Sequence, residues 1–194
     1  MKNKPFAAAA QQNRDVILEV LKEAFKDSSS VLELGSGTGQ HAAYFSQHLT
    51  HLNWQASDKQ EMLAGISLWL EKTNAPQAIE LDVCKQWPNE SYDAAFAANI
   101  AHIMHSHEIE AMFVGLKQVL TESAIFCLYG PFNINGQYTS ESNRDFDLWL
   151  KARDVHACIR DKSELDQLAI NNHLQPYRQW EMPANNLILS WRKI

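Results

Sequence analysis

Three of the seven glycines fall within five positions, at Gly35, Gly37 and Gly39, directly after the apolar run Val31 to Leu34. Glycine lets a chain turn sharply and lets its backbone approach a ligand closely. The loop is not a dinucleotide fingerprint, which needs glycine at position 40, where Gln40 stands. Nor is it a phosphate loop, which needs glycine and then lysine where this chain has Gln40 and His41. Both readings fail at Gln40. Acids follow the same logic of strand ends. Glu33 lies two residues before the first glycine, Asp58 lies 19 beyond Gly39, and Asp82 closes a third apolar run. Alone, each acid reads equally well as a ligand contact or as a helix cap or solvated side chain. Together, at consecutive strand ends behind a glycine loop, they read as ligand contacts.

Further polar groups fall after the next apolar runs: Asn99, His102, His105, Tyr129 and Asn133. His102 is the preferred base or substrate orienter, Tyr129 a group to hold the acceptor or face a cation, and Asn99 a loop cap or ligand contact. Asn13 and Arg14 lie on the first helix, and Arg14 has the fork geometry to grip a carboxylate. His102, His105 and His107 are spaced like a metal site, but the nearest acid is Glu108 and no cysteine is close. They read better as loop histidines, with no metal expected.

The elements that position these groups alternate in period. Helical stripes run over Asn13–Lys26, Gln40–Leu49, Lys59–Lys72, Ser106–Leu120, Asn143–Ala152 and Ser163–His173, the last with Ser163 as N-cap and Asp166 at N3. Strands are predicted at Val31–Leu34, Leu52–Ala56, Ala78–Val83, Tyr92–Ala98, Ser123–Tyr129, Tyr177–Met182 and Leu187–Arg192. Apolar strands alternating with amphipathic helices give a parallel sheet covered on both faces. The tight turn Pro183–Asn186 requires one of the last two strands to run antiparallel. Ligands of such a sheet bind beyond its carboxyl ends.

The chain has 194 residues, room for one domain over 1–194, with 133–161 a substrate-side insertion carrying Tyr138, Arg144, Asp147, Trp149, Arg153 and Asp154. Arg153 and Asp154 are expected to pair across the pocket or to cap the insertion. Net charge is −6 and no basic tract occurs, which argues against a nucleic-acid partner. No Asn/Asp-Pro-Pro-aromatic box follows the fourth strand, and no cysteine follows a proline. A small-molecule substrate is expected instead. No apolar run is long enough for a membrane span, and the apolar stretch within Met1 to Ala10 is too short for a signal peptide. With three scattered cysteines, Cys84, Cys127 and Cys158, the expected compartment is the cytoplasm. Oligomeric state is not legible.

An acid two residues before Gly-x-Gly-x-Gly is the pattern of S-adenosylmethionine binding, and Glu33 to Gly39 resembles motif I of class I S-adenosylmethionine-dependent methyltransferases. More narrowly, the chain resembles the methyltransferase-like 26 group, a domain-of-unknown-function family. Ser36–Ala42, Trp54–Asp58, Asn99–Ile103, Leu128–Phe132, Ser142-Asn143 with Phe146-Asp147, Arg153-Asp154 and Glu181–Leu187 carry that resemblance. It implies a Rossmann-like, doubly wound α/β fold: seven strands, mostly parallel, the last antiparallel, with helices on both faces. The cofactor would be S-adenosylmethionine, released as S-adenosylhomocysteine, held by Arg14, Glu33, Gly35, Ser36, Gly37, Thr38, Gly39, Gln40, Asp58, Asp82 and Asn99. Asp58 would take the ribose and Asp82 the adenine amine. The alternatives are a non-catalytic binding or interaction module on the same fold and, against Gln40, a nucleotide-dependent oxidoreductase.

Overall fold

The computed structural model describes residues 4–194. The expectation for Met1 to Ala10 thus falls partly outside the described residues. The helices are α1 (Ala8–Ala24), α2 (Gln40–His48), α3 (Leu63–Leu70), α4 (Ser106–Val119), α5 (Glu141–Arg153) and α6 (Lys162–Asn171). The strands are β1 (Ser30–Leu34), β2 (Asn53–Asp58), β3 (Ile79–Glu80), β4 (Tyr92–Ala98), β5 (Leu120–Gly130), β6 (Leu174–Met182) and β7 (Asn186–Lys193). They form one sheet in the order β3-β2-β1-β4-β5-β7-β6. β1 pairs in parallel with both β2 and β4, so the chain reverses its winding there. β7 runs antiparallel to β5 and to β6. The doubly wound, mostly parallel sheet with its antiparallel last strand is the architecture the alternating periods predict.

Period-two alternation builds the two layers. Leu32, Leu34, Ala95, Ala97, Phe126 and Leu128 pack under α4 and α6. Val31, Ala94, Phe96, Ile125, Cys127 and Tyr129 pack under α1, α2 and α3. Trp191 ties the first layer together, with ring centroids 5.6 Å from both Phe113 and Phe126. Its indole N–H donates to Asp166 of α6 at 2.9 Å. Each such fully buried large apolar side chain contributes about 1.5–3 kcal/mol.

Several boundaries differ from expectation for local reasons. α1 begins at Ala8 rather than Asn13, because Ala8 to Ala10 are strong helix formers. β3 keeps only Ile79 and Glu80. Asp82 ends it by accepting the Cys84 N–H at 3.0 Å, and this turn displaces the pairing expected to Val83. A 3-10 turn, Gln60–Met62, takes the start of the third helix, which then ends at Leu70. The N-cap of α6 is Asp161, not Ser163. Its carboxylate accepts both the N–H and the hydroxyl of Ser163, at 2.8 and 2.6 Å. Asp166 instead binds Lys162 and Trp191. β6 has a register shift between Pro176 and Arg178.

The segment 133–161 closes on itself. Asn133 N–H donates to the Arg160 carbonyl and Lys162 N–H to the Asn133 carbonyl, both at 2.9 Å. Inside it Asp147, 1% exposed, accepts from Ile159 N–H at 2.7 Å, from the Tyr138 hydroxyl at 2.7 Å and from Lys151 at 2.6 Å. These contacts hold the Asp147 carboxyl below the ordinary carboxylate range against the cost of its burial.

Candidate functional site

A cavity of about 430 Å3 opens at the carboxyl ends of the strands, where the winding reverses. Gly35 and Gly37 from the end of β1 form one side, Asp58 from β2 the next, and Asn99 after β4 the other. Met62, Leu81 and Val83 supply apolar wall, and Ile100, Ile103 and Met104 close it from the β4–α4 loop. Lys59 and Glu108 stand at its rim as an ion pair of 3.5 Å. A wider groove of about 750 Å3 lies between the loop around Trp87 and α4, but no glycine-loop residue and neither Asp58 nor Asn99 lines it.

The glycine loop is tied to β2. Ser36 N–H donates to the Ser57 carbonyl at 2.9 Å, and Gly37 N–H to the Asp58 carboxylate at 2.7 Å. Gly37 has φ +58°, and a Cβ there would have nothing within 4 Å. Its missing side chain leaves open space, not packing. Gly35 differs, since a Cβ there would meet Ile100 at 2.7 Å. Asp58 also accepts the Lys59 N–H at 2.7 Å. Burial nevertheless raises its carboxyl above the ordinary range, outweighing both backbone bonds. Asn99 adopts φ +60° and donates its N–H to the Tyr129 carbonyl at 2.9 Å. Asparagine tolerates this left-handed turn better than most residues, and such strain is common at binding sites.

The other expected residues lie off the cavity lining. Glu33 is 2% exposed and points to the α1–α3 side, where Trp54 Nε1 donates to it at 2.9 Å. Burial pushes its carboxyl up to about 7, partly opposed by hydrogen bonds from Trp54 and Ser36. Thr38 and Ala7 both donate to Gln40 Oε1, at 3.1 and 2.5 Å, pinning the N-terminal segment to the loop. Gln40 Nε2 is buried with no acceptor among the described residues. Gly39, at φ +86°, is the N-cap of α2. Asp82 closes its own turn while Leu81 and Val83 beside it face the cavity. Arg14 is half-buried between α1 and α2, lies over the Tyr44 ring 4.3 Å from its centroid and donates to Gln11 at 2.9 Å, and its Nε is buried without a hydrogen-bond partner among the described residues.

The two residues expected to do chemistry are held apart from the lining. Tyr129 packs in the α1–α3 layer, where Asn13 bonds its hydroxyl and burial raises its pKa. The Asn13 carboxamide oxygen lies 2.8 Å from His41 Nε2. Burial lowers His41 to about 4. His102 is 8% exposed, with its ring edge-on to Phe146 at 5.2 Å. Burial, and then the nearby Arg160 guanidinium, lower it to about 4. Of the neighbouring histidines, His105 pairs with Asp154 at 2.8 Å, and Glu108 accepts its backbone N–H at 2.8 Å. Among the described residues no group of three His, Cys, Asp or Glu side chains is arranged to hold a metal. Arg153 and Asp154 do not pair. Arg153 stacks on Trp149, 3.7 Å from the ring centroid, while Asp154, the extended C-cap of α5, is taken by His105.

Sequence reasoning missed Met62, Leu81, Val83, Ile103 and Met104 as lining. Their signal was weak, since each reads as an ordinary apolar residue near a strand end. It also missed Arg160, a lone arginine in an aperiodic stretch.

Comparison of folds gives a consistent picture. The chain superposes on an O-methyltransferase family protein from Burkholderia thailandensis with TM-score 0.80 and 11% identity, covering 95% of this chain and 56% of that one. It superposes on an O-methyltransferase family 2 protein from Planctomyces limnophilus, solved with apigenin, with TM-score 0.82 and 14% identity over 96% and 58%. Human N-acetylserotonin methyltransferase, solved with S-adenosylmethionine, gives TM-score 0.74 and 11% identity over 93% and 54%. The chain thus spans little more than half the length of these proteins and has a Rossmann-like methyltransferase fold. No helix among the described residues is long and apolar enough to cross a membrane. A family model matches residues 4–193, and the chain belongs to that family, described as proteins of unknown function (DUF938).

Proposed function

We propose that the protein is an S-adenosylmethionine-dependent methyltransferase acting on a small-molecule acceptor. The observation that carries this is the open space at Gly37 facing the Asp58 carboxylate, in a cavity with apolar walls. The residues fit such a cofactor. Each Asp58 oxygen has one lone pair bonded to backbone and one left for a ribose diol. Met62, Leu81 and Val83 offer surface for a purine. The fold shared with O-methyltransferases supports the reading.

In this reading Gly35, Gly37, Asp58 and Asn99 touch the cofactor. Ser36, Thr38, Gly39 and Gln40 shape the loop, Glu33 braces it from below, and Asp82 sets the turn carrying Leu81 and Val83. Arg14 and Tyr129 act through the α1–α2 packing. When bound, the cofactor supplies an electrophilic methyl group on a sulfonium. The chain's part is to hold the acceptor in line, which is worth up to roughly 7–11 kcal/mol. His102 is neutral at pH 7 and, with its pKa near 4, a weak base; it lies off the cavity lining against Phe146 and is given no contact with the acceptor. The narrower grouping with methyltransferase-like 26 proteins is part of this proposal and rests on Leu128–Phe132 and Glu181–Leu187.

Calorimetric titration with S-adenosylmethionine and S-adenosylhomocysteine tests it, with a nicotinamide dinucleotide as control. Binding of both sulfur ligands alone, then release of S-adenosylhomocysteine with phenol, carboxylate or amine acceptors, is the expected result. Absence of binding would sink the proposal. The second reading, a non-catalytic module, is favoured by the placement of His102 and Tyr129 off the cavity lining, and predicts binding with no turnover on any acceptor.

A further inference from the structure

The β4–α4 loop walls the cavity with Ile100, Ile103 and Met104, yet its own backbone carbonyls are not paired in regular structure. Arg160, at the closing stem of segment 133–161, gathers them. Its Nε donates to the Ala101 carbonyl at 3.2 Å and its Nη1 to the Ser106 hydroxyl at 3.3 Å. Its Nη2 donates to the Met104 carbonyl and, at 3.1 Å, to the His156 carbonyl. Arg160 is 9% exposed, and its hydrogen bonds run to three carbonyls and a hydroxyl, none to a carboxylate. Glu110 and Glu164 border the small cavity beside it without pairing to it among the described residues. A desolvated cation with no counter-ion is an expensive way to fill a core, and only excellent hydrogen-bond geometry offsets it. That geometry joins two things: the cavity wall, and the segment whose Phe146 covers His102.

We propose that Arg160 is a positioning residue whose planar fork couples segment 133–161 to the 101–106 loop, so that an acceptor ordering the segment and a cofactor filling the cavity favour each other. This rests on the methyltransferase reading. Coupling of binding is reciprocal, so it is measurable from the cofactor side without knowing the acceptor. A lysine keeps the charge but cannot span the four acceptors.

The experiment is amide hydrogen exchange on the intact chain with and without S-adenosylhomocysteine, with calorimetry, on wild type, Arg160→Lys and Arg160→Gln. In wild type the ligand is expected to slow exchange at Ile159 and Asp161, which do not line the cavity. Both variants are expected to bind the ligand on the order of tenfold more weakly, and to lose that remote protection. NMR titration of His102 separates fork from charge: its midpoint stays low with lysine and rises with glutamine. Ligand binding by wild type without protection in segment 133–161 overturns the coupling alone, and needs no variant to fold. Wild-type affinity in both variants also overturns it. Failure of wild type to bind the ligand overturns the methyltransferase reading and this inference with it.

Discussion

The Gly37 N–H donates to the Asp58 carboxylate at 2.7 Å, so the loop after β1 and the acid after β2 form one hydrogen-bonded unit. A change at either partner moves the other, and cofactor affinity reports on both. Two predictions separate their roles.

Gly37→Val should abolish binding of S-adenosylhomocysteine while leaving the far-ultraviolet spectrum of a folded protein. The branched Cβ would occupy space that is empty of protein. It would also sit at φ +58°, costing about 1–3 kcal/mol of stability. A dissociation constant unchanged from wild type would refute the assignment of that space to ligand.

Asp58→Asn should weaken binding by about 1.5–3 kcal/mol, roughly 10- to 150-fold in the dissociation constant. The amide nitrogen cannot accept, so one of the two backbone N–H groups, of Gly37 or Lys59, loses its partner as well. Loop amide exchange should therefore quicken even without ligand. Faster exchange with full affinity would move the diol contact elsewhere.

Much of this architecture is legible from the chain because it depends on local pattern. The glycine spacing at Gly35 to Gly39, and the apolar runs around Leu32, Leu34, Ala95 and Ala97, carry the loop and a sheet buried on both faces without any tertiary knowledge. What was not legible depends on which way a side chain turns. Glu33 sits in the motif position of an acid, but its strand parity sends it to the Trp54 face. Ser163 and Asp161 are both fair caps, and the carboxylate wins by accepting two bonds. Arg160 meets Ala101 across 59 positions of sequence, a separation no local pattern records.

Glu33→Gln should make stability less dependent on pH. Burial raises the wild-type carboxyl from 4.5 to about 7 in the folded chain. Below about pH 4.5 the acid is neutral in both states and its contribution is fully present; it is lost as pH rises through about 7. The variant should match wild type at pH 4 and exceed it by roughly 3 kcal/mol above pH 7.5, keeping the bond from Trp54. Denaturant unfolding at both pH values checks this. A difference independent of pH would mean Glu33 does not titrate there.

Gly115→Ala should destabilise the protein despite the better helix former. Alanine adds roughly 1 kcal/mol of helix preference, but its Cβ would lie 1.8 Å from the Trp87 ring. Overpacking of this kind costs about 1–3 kcal/mol. Trp87 Nε1 donates to the Val83 carbonyl at 3.1 Å, so displacement of the ring also shifts a cavity residue and weakens ligand binding. In a Trp87→Ala background the same substitution should become stabilising, a reversal of sign that thermal melting will show.

The margins of the sheet bear on how copies of the chain behave together. One margin, β3, is two residues long. The other, β6, carries Pro176, which has no amide N–H, beside a register shift at Arg178. Neither offers the long, flat, unpaired row on which another strand would template itself. A two-residue margin on one side and a proline-broken one on the other are features that disfavour margin-to-margin pairing between copies of the chain.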